Sequence, residues 1–109
     1  MIEVNHYVSR AGKDLFEEWL TQLPDARTQA KIASRINRLG AGNFGDCKSL
    51  RQGLFELRID WGPGYRVYYA MTGGECVLLL CGGDKRRQSS DIERALEYLR
   101  DYKERTATS

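Results

Sequence analysis

The chain has 109 residues, and its 17 basic and 15 acidic side chains leave a formal net charge of only +2. This length predicts one compact domain that buries a core without disulfides or metal. The charge is too small to indicate a nucleic-acid partner by itself, and no apolar run reaches the ~18 residues of a membrane span. The amino terminus lacks the basic-then-apolar order of a signal peptide, so we expect a cytoplasmic protein with no membrane contact.

The first third of the sequence predicts one strand and a helical hairpin. Apolar residues alternate with polar ones from Ile2 to Val8, which is the period of a strand. An apolar face repeated at helical spacing predicts an amphipathic helix over roughly Arg10–Gln22. A second helix follows, with Pro24 in its first turn and Gly40 as its stop.

The middle of the sequence predicts a loop and three strands. Residues 41–53 are rich in turn-forming residues. Clean alternation predicts a strand over Phe55–Trp61, and another is expected over Tyr65–Met71. The third strand, Cys76–Cys81, is apolar on both faces and is expected in the interior of the sheet.

The last segment predicts a helix and a tail. Ser90 and Glu93 have the spacing of a capping box, with Ser90 as the N-cap. The domain is expected to span residues 1–103, and residues 104–109 to form a disordered tail. The predicted order is β-α-α-β-β-β-α. This is an α+β fold with a mostly antiparallel, twisted sheet, whose helical hairpin and C-terminal helix cover one face.

Basic residues are grouped at two places in the chain. Four of them recur at spacings of four, four and three, which forms one stripe on the second helix, and three more follow the last strand. Each group alone is typical of a solvated face, but two groups in so small a domain favour a polyanionic partner. The stripe is Arg27, Lys31, Arg35 and Arg38, and the second group is Lys85, Arg86 and Arg87.

The three cysteines predict neither a metal site nor a disulfide. Cys47, Cys76 and Cys81 are odd in number and form no CxxC motif. Cys76 and Cys81 lie five apart in one predicted strand, so we expect them on opposite faces. Free thiols in a reducing compartment are the better interpretation.

The turn after the first of the three strands determines which side chains are neighbours. With a three-residue loop at 62–64, Asp60 pairs with Arg66, and Arg58 pairs with Tyr68 on the open polar face. A slip by one residue would put every apolar side chain on the wrong face, which excludes the shorter loop. Arg58 and Arg66 are then diagonal neighbours.

Two adjacent arginines repel each other unless an anion lies between them. In one interpretation, Asp60 and Glu56 neutralise them as ordinary cross-strand pairs. In the other, Arg58 and Arg66 form a phosphate clamp, because guanidinium groups match phosphate oxygens. Lys85 follows the last strand and would close the same concavity.

The remaining side chains restrict the chemistry. His6 is the only histidine, no carboxylate cluster predicts a two-metal site, and residues 82–85 lack the spacing of a phosphate loop. No Ser–His or Cys–His arrangement is available. The pattern is compatible with RNA cleavage that needs neither metal nor cofactor, in which the RNA's own 2′-hydroxyl attacks the adjacent phosphate.

Several segments resemble a known protein family. They are GLFELRI at residues 53–59, GPGYRVYY at 62–69, LLLCGGDK at 78–85 and the helix start DIERA at 91–95. Their order and spacing resemble the phage-derived, HigB-like addiction-module killer proteins of the RelE/ParE superfamily, over roughly Val4 to Tyr102. The resemblance implies a RelE-like fold and the toxin of a type II toxin–antitoxin system, which cuts mRNA in the ribosomal A site. It also implies a cognate antitoxin, commonly one with a helix-turn-helix domain.

The resemblance also implies roles for individual residues. Arg66 falls on the arginine of the family's Gly-Tyr-Arg motif, which contacts the scissile phosphate. Arg58 and Lys85 fall near two other basic positions of the family. The catalytic tyrosine of RelE has no counterpart, because Asp91 or Ile92 occupies its place.

Proton transfer therefore has to use another group. Asp91 or Glu56 is the candidate base, Tyr68 is expected to stack on an RNA base, and Arg86 and Arg87 are expected to contact RNA. One alternative is a ParE-like inhibitor that binds DNA gyrase without hydrolysis, and another is a plain RNA-binding module or an inactive remnant of the family. Three basic side chains on one face favour the nuclease, since an inhibitor has no need of them together.

Overall fold

The computed structural model describes residues 2–107, which fold into one five-stranded sheet and three α-helices. The elements are β1 Glu3–His6, α1 Leu15–Gln22, α2 Ala26–Gly40, β2 Cys47–Ser49, β3 Leu54–Ile59, β4 Tyr65–Thr72, β5 Cys76–Asp84 and α3 Gln88–Ala107. The strand order is β1-β5-β4-β3-β2, in which β1 is parallel to β5 and the other neighbours are antiparallel. The predicted α+β fold class is confirmed, with one strand added to the predicted order.

The sheet is buried on both faces. On one face, Phe16 of α1 and Ile32 of α2 pack with strand residues such as Val67. On the other face, Leu96 of α3 packs with alternate strand residues such as Leu78. The prediction that all helices cover one face is wrong, because the central strands carry apolar side chains on both sides and each side requires a helix.

Aspartates begin both helices of the hairpin. Asp14 accepts a hydrogen bond of 3.0 Å from a backbone N–H of the first turn, so α1 begins at Leu15 and not at Arg10 as predicted. Asp25 does the same for α2, also at 3.0 Å, so Pro24 precedes the cap and does not lie in the first turn. Each cap satisfies a backbone donor that has no partner inside the helix.

Gly40 ends α2, as predicted, where this helix meets β1. A Cβ at Gly40 would lie 3.1 Å from Cγ2 of Val4, and Ile2 N donates a hydrogen bond to Gly40 O at 2.9 Å. The missing side chain therefore permits a close approach of helix and strand. The left-handed backbone that ends the turn belongs to Gly42, with a φ of +89°.

The short strand β2 lies at the edge of the sheet and was not predicted. Cys47 pairs with Leu57 of β3, inside the segment 41–53 that was expected to be a loop. Three residues are too few for a strand period to be recognised in the sequence. The pairing brings Asp46, which precedes β2, next to β3.

A bulge interrupts the alternation of β5. The register with β4 shifts after Tyr68, which pairs with Cys81, and Leu80 is left without a partner in the ladder. As a result, Leu80 and Cys81 both join the core under α3. The strict alternation that put Cys76 and Cys81 on opposite faces is broken here, and all three cysteines are free thiols.

The helix α3 begins after a 3₁₀ turn and not at the predicted capping box. Asp84 caps the turn Lys85–Arg87, and α3 follows directly, so Ser90 lies inside the helix. Residues 104–107 are helical and not a tail, while residues 108 and 109 lie outside the described residues. Within residues 2–107, no helix is both long and apolar enough to cross a membrane.

Candidate functional site

Arg58 of β3 and Arg66 of β4 lie directly opposite each other in the sheet. The predicted register placed them diagonally, and it is wrong by two residues because the loop spans residues 60–64. Trp61 leaves the sheet, and its Nε1 donates a hydrogen bond to Thr28 Oγ1 of α2 at 3.0 Å. A two-residue shift keeps each side chain on its face, so the two arginines are closer than expected but still side by side.

A groove of about 460 Å³ opens at this end of the sheet, and we call it the arginine groove. The loop 62–64 forms one wall of it. Gly64 has a φ of +85°, a left-handed backbone conformation that favours glycine. A Cβ there would lie at ordinary contact distance from the two basic residues of the groove, 3.5 Å from Arg66 Nη1 and 3.6 Å from Lys85 Cβ. The charged residues that line the groove are Arg58, Arg66, Lys85, Asp46 and Asp60.

Asp46 holds the guanidinium of Arg58. Its Oδ1 accepts hydrogen bonds from Arg58 Nη2 at 2.8 Å and Nε at 3.2 Å, and its carbonyl accepts from Arg58 N at 2.9 Å. Both side chains are about half exposed, so the pair contributes little to stability. Its effect is to fix a carboxylate beside a guanidinium at the surface of the groove.

Arg66 is more enclosed than Arg58, with 12% of its side chain exposed. Its Nη1 donates a hydrogen bond to Tyr65 O at 3.2 Å, and its Nε lies 3.8 Å from Glu56 Oε1. These contacts restrict the guanidinium at Nε and at one of the Nη1 donors. The arginine is therefore held in place before any ligand binds.

Part of the basic stripe on α2 lines a second groove of about 410 Å³, which we call the α2 groove. Asp60 lines both grooves, so they adjoin. Lys31 lies over the ring of Trp61, with its Nζ 4.7 Å from the ring centroid. Together with Arg35 and Arg38, these residues extend the positive surface from the sheet onto α2.

The four basic residues of the stripe on α2 differ in their contacts. Arg35 Nη1 donates a hydrogen bond to Arg58 O at 2.9 Å, which ties α2 to β3 beside the arginine groove. Arg27, in the first turn of α2, does not line the α2 groove. The predicted stripe therefore divides into three residues near the candidate site and one outside it.

The three basic residues after β5, Lys85, Arg86 and Arg87, are also divided between two grooves. Lys85 faces the arginine groove, whereas Arg86 and Arg87 line a different groove along β5 together with Asp91. Asp91 is buried, and its Oδ1 lies 3.5 Å from Arg94 Nη1. Burial raises the pKa of Asp91, although Arg94 and Arg87 oppose the shift. Asp91 is therefore not brought to the arginine groove, where it was expected to act as a base.

Glu56 and Tyr68 were predicted to face RNA, but both are 0% exposed beneath α3. Tyr68 has no free ring face on which a base could stack, and Glu56 has no open path to a substrate. The strand face that alternation marked as polar and open is the one that α3 covers. Neither of the two roles predicted for these residues fits this burial.

Sequence reasoning missed Asp46 and the loop position of Trp61. Asp46 lies among turn-forming residues, and its contact with Arg58 follows from the pairing of β2 with β3, which no local pattern indicates. Trp61 continues the apolar alternation of β3 in the sequence, so the pattern does not show that β3 ends at Ile59 or that Trp61 turns to Thr28 of α2.

The arginine groove combines cations that suit phosphate oxygens with an exposed carboxylate that can accept a proton. Within residues 2–107, no three His, Cys, Asp or Glu side chains are grouped as metal ligands. The arrangement thus suits a phosphate ester, with charge stabilisation from Arg66 and Lys85 and proton transfer from groups nearby.

The chain is similar to phage-derived proteins. Residues 18–100 match the family model described as "Phage derived protein Gp49-like (DUF891)". An uncharacterized protein of Haemophilus influenzae is 56% identical over 80 residues, which cover 73% of this chain and 81% of that protein. The segment that matches the family includes α2 and all charged residues of the arginine groove.

Proposed function

This chain belongs to the Gp49-like family of phage-derived proteins, and we propose that it is the toxin of a toxin–antitoxin module. In this proposal it is an endoribonuclease that cuts mRNA bound to the ribosome and so inhibits translation. A cognate antitoxin, of the helix-turn-helix type, neutralises it in the cell. Cleavage uses side chains and the RNA's own 2′-hydroxyl, without metal or cofactor.

The observation that carries the proposal is the pair Arg58 and Arg66, directly opposite each other in one groove. Two guanidinium groups at such positions repel, and each has one carboxylate nearby: Asp46 beside Arg58, and the buried Glu56 at the Nε edge of Arg66. Arg66 and Lys85 remain in the groove as donors for a phosphate. An oligoanion with a flexible backbone, such as single-stranded RNA, fits a groove of this charge better than a buried small molecule.

The proposed reaction needs three roles in the groove. Asp46 accepts the proton of the 2′-hydroxyl, whose oxygen forms a bond to the adjacent phosphorus. Arg66 stabilises the charge that develops on the phosphate oxygens. The bond from phosphorus to the 5′-oxygen breaks, and Lys85 supplies a proton to that leaving oxygen. The products are a 2′,3′-cyclic phosphate and a 5′-hydroxyl, and the two side chains re-equilibrate their protons with water.

The α2 groove provides further contacts for RNA. Lys31 and Arg38 are exposed along it, and Asp60 joins it to the site of cleavage. A row of cations on one helix follows a phosphate backbone and fixes its position without reading sequence. In the proposal, this row contacts ribosomal RNA or the mRNA beside the scissile phosphate.

The test of this function is single-turnover cleavage of mRNA on purified ribosomes. Arg66→Ala is expected to lower the rate about 100- to 1,000-fold, the usual loss when one preorganised donor is removed. Arg66→Lys is expected to rescue little, because an ammonium group cannot reproduce the planar fork. Arg100→Ala is the matched control, since Arg100 is exposed on α3 and lines neither groove.

Two further measurements separate this function from its alternatives. Expression of the chain alone should arrest growth, and co-expression of its cognate antitoxin should restore growth. Gyrase supercoiling should be unaffected by the purified protein, whereas inhibition there without mRNA cleavage would favour a ParE-like inhibitor. Harmless expression, or a folded Arg66→Ala protein that cuts at the wild-type rate, would contradict the proposal.

A further inference from the structure

A buried carboxylate lies directly behind the arginine groove. The Oε2 of Glu56 accepts a hydrogen bond from Gln88 Nε2 at 2.7 Å, and its Oε1 lies 3.8 Å from Arg66 Nε. Oε1 and Nε are both buried, and neither has a hydrogen-bond partner among residues 2–107. A guanidinium N–H and a carboxylate oxygen therefore lie near each other without a hydrogen bond to any group in this part of the chain. The buried hydroxyl of Tyr68, which lies opposite Glu56 on β4, is also without a hydrogen bond of good geometry there.

The burial of Glu56 makes this pair different from a surface ion pair. An ionised carboxylate in a protein interior is strongly unfavourable unless a cation or several donors compensate it. In the described chain, Arg66 is the only basic residue with a nitrogen within 4.0 Å of the Glu56 carboxylate. Tyr68 lies opposite Glu56 on β4, and burial, the charge of Glu56 and hydrogen bonding to Glu56 raise the pKa of its hydroxyl. The hydroxyl therefore adds no negative charge, and it is a neutral donor beside the carboxylate that Arg66 compensates.

We propose that Glu56 is a positioning residue, whose buried carboxylate holds the Nε edge of Arg66 and turns its Nη edge toward the arginine groove. The inference rests on the proposed function, since it assigns Arg66 to the scissile phosphate. Glu56 itself touches no substrate, because it is 0% exposed. Gln88, the first residue of α3, in turn fixes the orientation of Glu56.

The donors of Arg66 divide in a way that fits this role. A guanidinium group has five N–H donors. The Nε donor faces Glu56, and one Nη1 donor bonds to Tyr65 O at 3.2 Å. These two contacts leave one Nη1 donor and both Nη2 donors free of them, which is enough for a bidentate contact to a phosphate. Because Arg66 is already held at two of its nitrogens, the entropy cost of positioning its guanidinium does not arise during the reaction.

The Glu56→Gln variant tests this inference, because it keeps the shape of the side chain and removes its charge. We expect the maximal single-turnover rate to fall about 10- to 100-fold, since small misplacements of a reacting group have effects of that size. The ribosome concentration that gives half of this rate should change less than about twofold, because groove contacts are kept. Glu93→Gln, at an exposed position of α3, is the matched control.

A double variant distinguishes positioning from a merely structural role. If Glu56 acts through Arg66, then Glu56→Gln should lower the residual rate no further in an Arg66→Ala protein. An equal loss in both backgrounds would overturn the proposal, because it would indicate an independent catalytic role or a general loss of folded protein. If Glu56→Gln does not fold, Gln88→Ala replaces it, with a smaller loss of rate that also disappears in the Arg66→Ala background.

The contact between Glu56 and Arg66 can also be measured without an activity assay. In ¹⁵N NMR spectra, the Nε–H of Arg66 should exchange slowly with water in the wild-type protein and quickly in Glu56→Gln. Slow exchange in both proteins would overturn the role of Glu56. A wild-type protein that leaves ribosome-bound mRNA intact would instead overturn the proposed function. An active wild type with an equally active Glu56→Gln protein would overturn only the positioning role.

Discussion

Gly83 of β5 lies directly beneath the carboxylate of Asp91 on α3. A Cβ at Gly83 would come within 2.8 Å of Asp91 Cγ and would overlap its Oδ2. Only a hydrogen atom fits in this space, so α3 can approach β5 closely at the end of the sheet that carries Lys85. The packing of helix on strand therefore helps to fix where β5 ends and where the residues after it begin.

Gly83→Ala is expected to lower the free energy of unfolding by about 1–3 kcal/mol, the usual cost of overpacking. Without the clash, alanine in a strand would be neutral or favourable, because glycine loses more chain entropy on folding. Urea denaturation measures the change. In an Asp91→Ala background the same substitution should cost less, and an equal cost in both backgrounds would mean that the carboxylate is not the cause.

Asp91 should also give the protein a pH-dependent stability. Burial raises the pKa of its carboxyl above the ordinary 3.8, Arg94 and Arg87 oppose the shift, and Asp84 adds to it. As pH rises above about 4, the unfolded chain loses this proton before the folded protein does. The folded state then binds more protons, so the free energy of unfolding falls as pH increases through this window.

Comparison with Asp91→Asn isolates this contribution. The difference in unfolding free energy between the wild type and Asp91→Asn should change by up to about 1.4 kcal/mol for each unit of pKa shift. It should favour the wild type at the acidic end of the window. Urea titrations at a series of pH values from about 3.5 to 7 measure it, and parallel curves would contradict the buried, shifted carboxyl.

Periodicity predicted most of the fold, because it reports burial. The core faces of α2 and β3 follow from residues such as Ile32 and Leu57, whose spacing matches one helix face and one strand face. The same reasoning misjudged Glu56, because alternation marks a polar residue as exposed when a helix covers the second face. The sequence pattern does not indicate that Gln88 and Arg66 lie close enough to the buried carboxylate of Glu56 to compensate its burial.

The candidate site was predicted in part. Arg58 and Arg66 were placed on one face because a shift of two residues leaves strand faces unchanged, although the register was wrong. Asp46 was missed because its position depends on β2, which is too short to have a pattern of its own. Asp91 was assigned to the wrong groove, because its place along the chain does not show on which side of β5 it lies.

The α2 groove leads to a prediction about ribosome binding. Charge reversal at Lys31 and Arg38 should weaken binding and make it less dependent on salt, since each lost phosphate contact lowers the log–log slope by roughly 0.7–0.9. Filter binding to 70S ribosomes across a range of salt concentrations measures both effects. Arg27→Glu is the control, because Arg27 is exposed on the same helix but outside the groove.

The outcome separates the interpretations of the stripe. If Arg27→Glu weakens ribosome binding as much as charge reversal at Lys31 or at Arg38, only the overall charge of α2 matters. Unchanged binding in all variants would leave the stripe as a solvated face or a contact for the antitoxin. A flattened slope confined to the groove variants would support an RNA path that adjoins the arginine groove.

Proton transfer at the arginine groove can be tested with a modified mRNA. Replacing the 5′-oxygen at the scissile bond by sulfur gives a leaving group that departs without needing a proton. Lys85→Ala should therefore cut normal mRNA slowly and the sulfur-containing mRNA close to the wild-type rate. Asp46→Asn should remain slow on both, because sulfur at the leaving position does not help to remove the proton from the 2′-hydroxyl.

The loss of cleavage rate in these variants should have the size expected for removal of a general acid or a general base. Loss of a positioned acid or base typically lowers a rate about 100- to 10,000-fold, so Lys85→Ala and Asp46→Asn are each expected to fall in that range on normal mRNA. Glu75→Gln, in the exposed turn between β4 and β5, serves as the control for charge alone. If sulfur restores Asp46→Asn but not Lys85→Ala, the two roles are reversed. If it restores neither, Lys85 acts on the charge of the phosphate and not on the leaving oxygen.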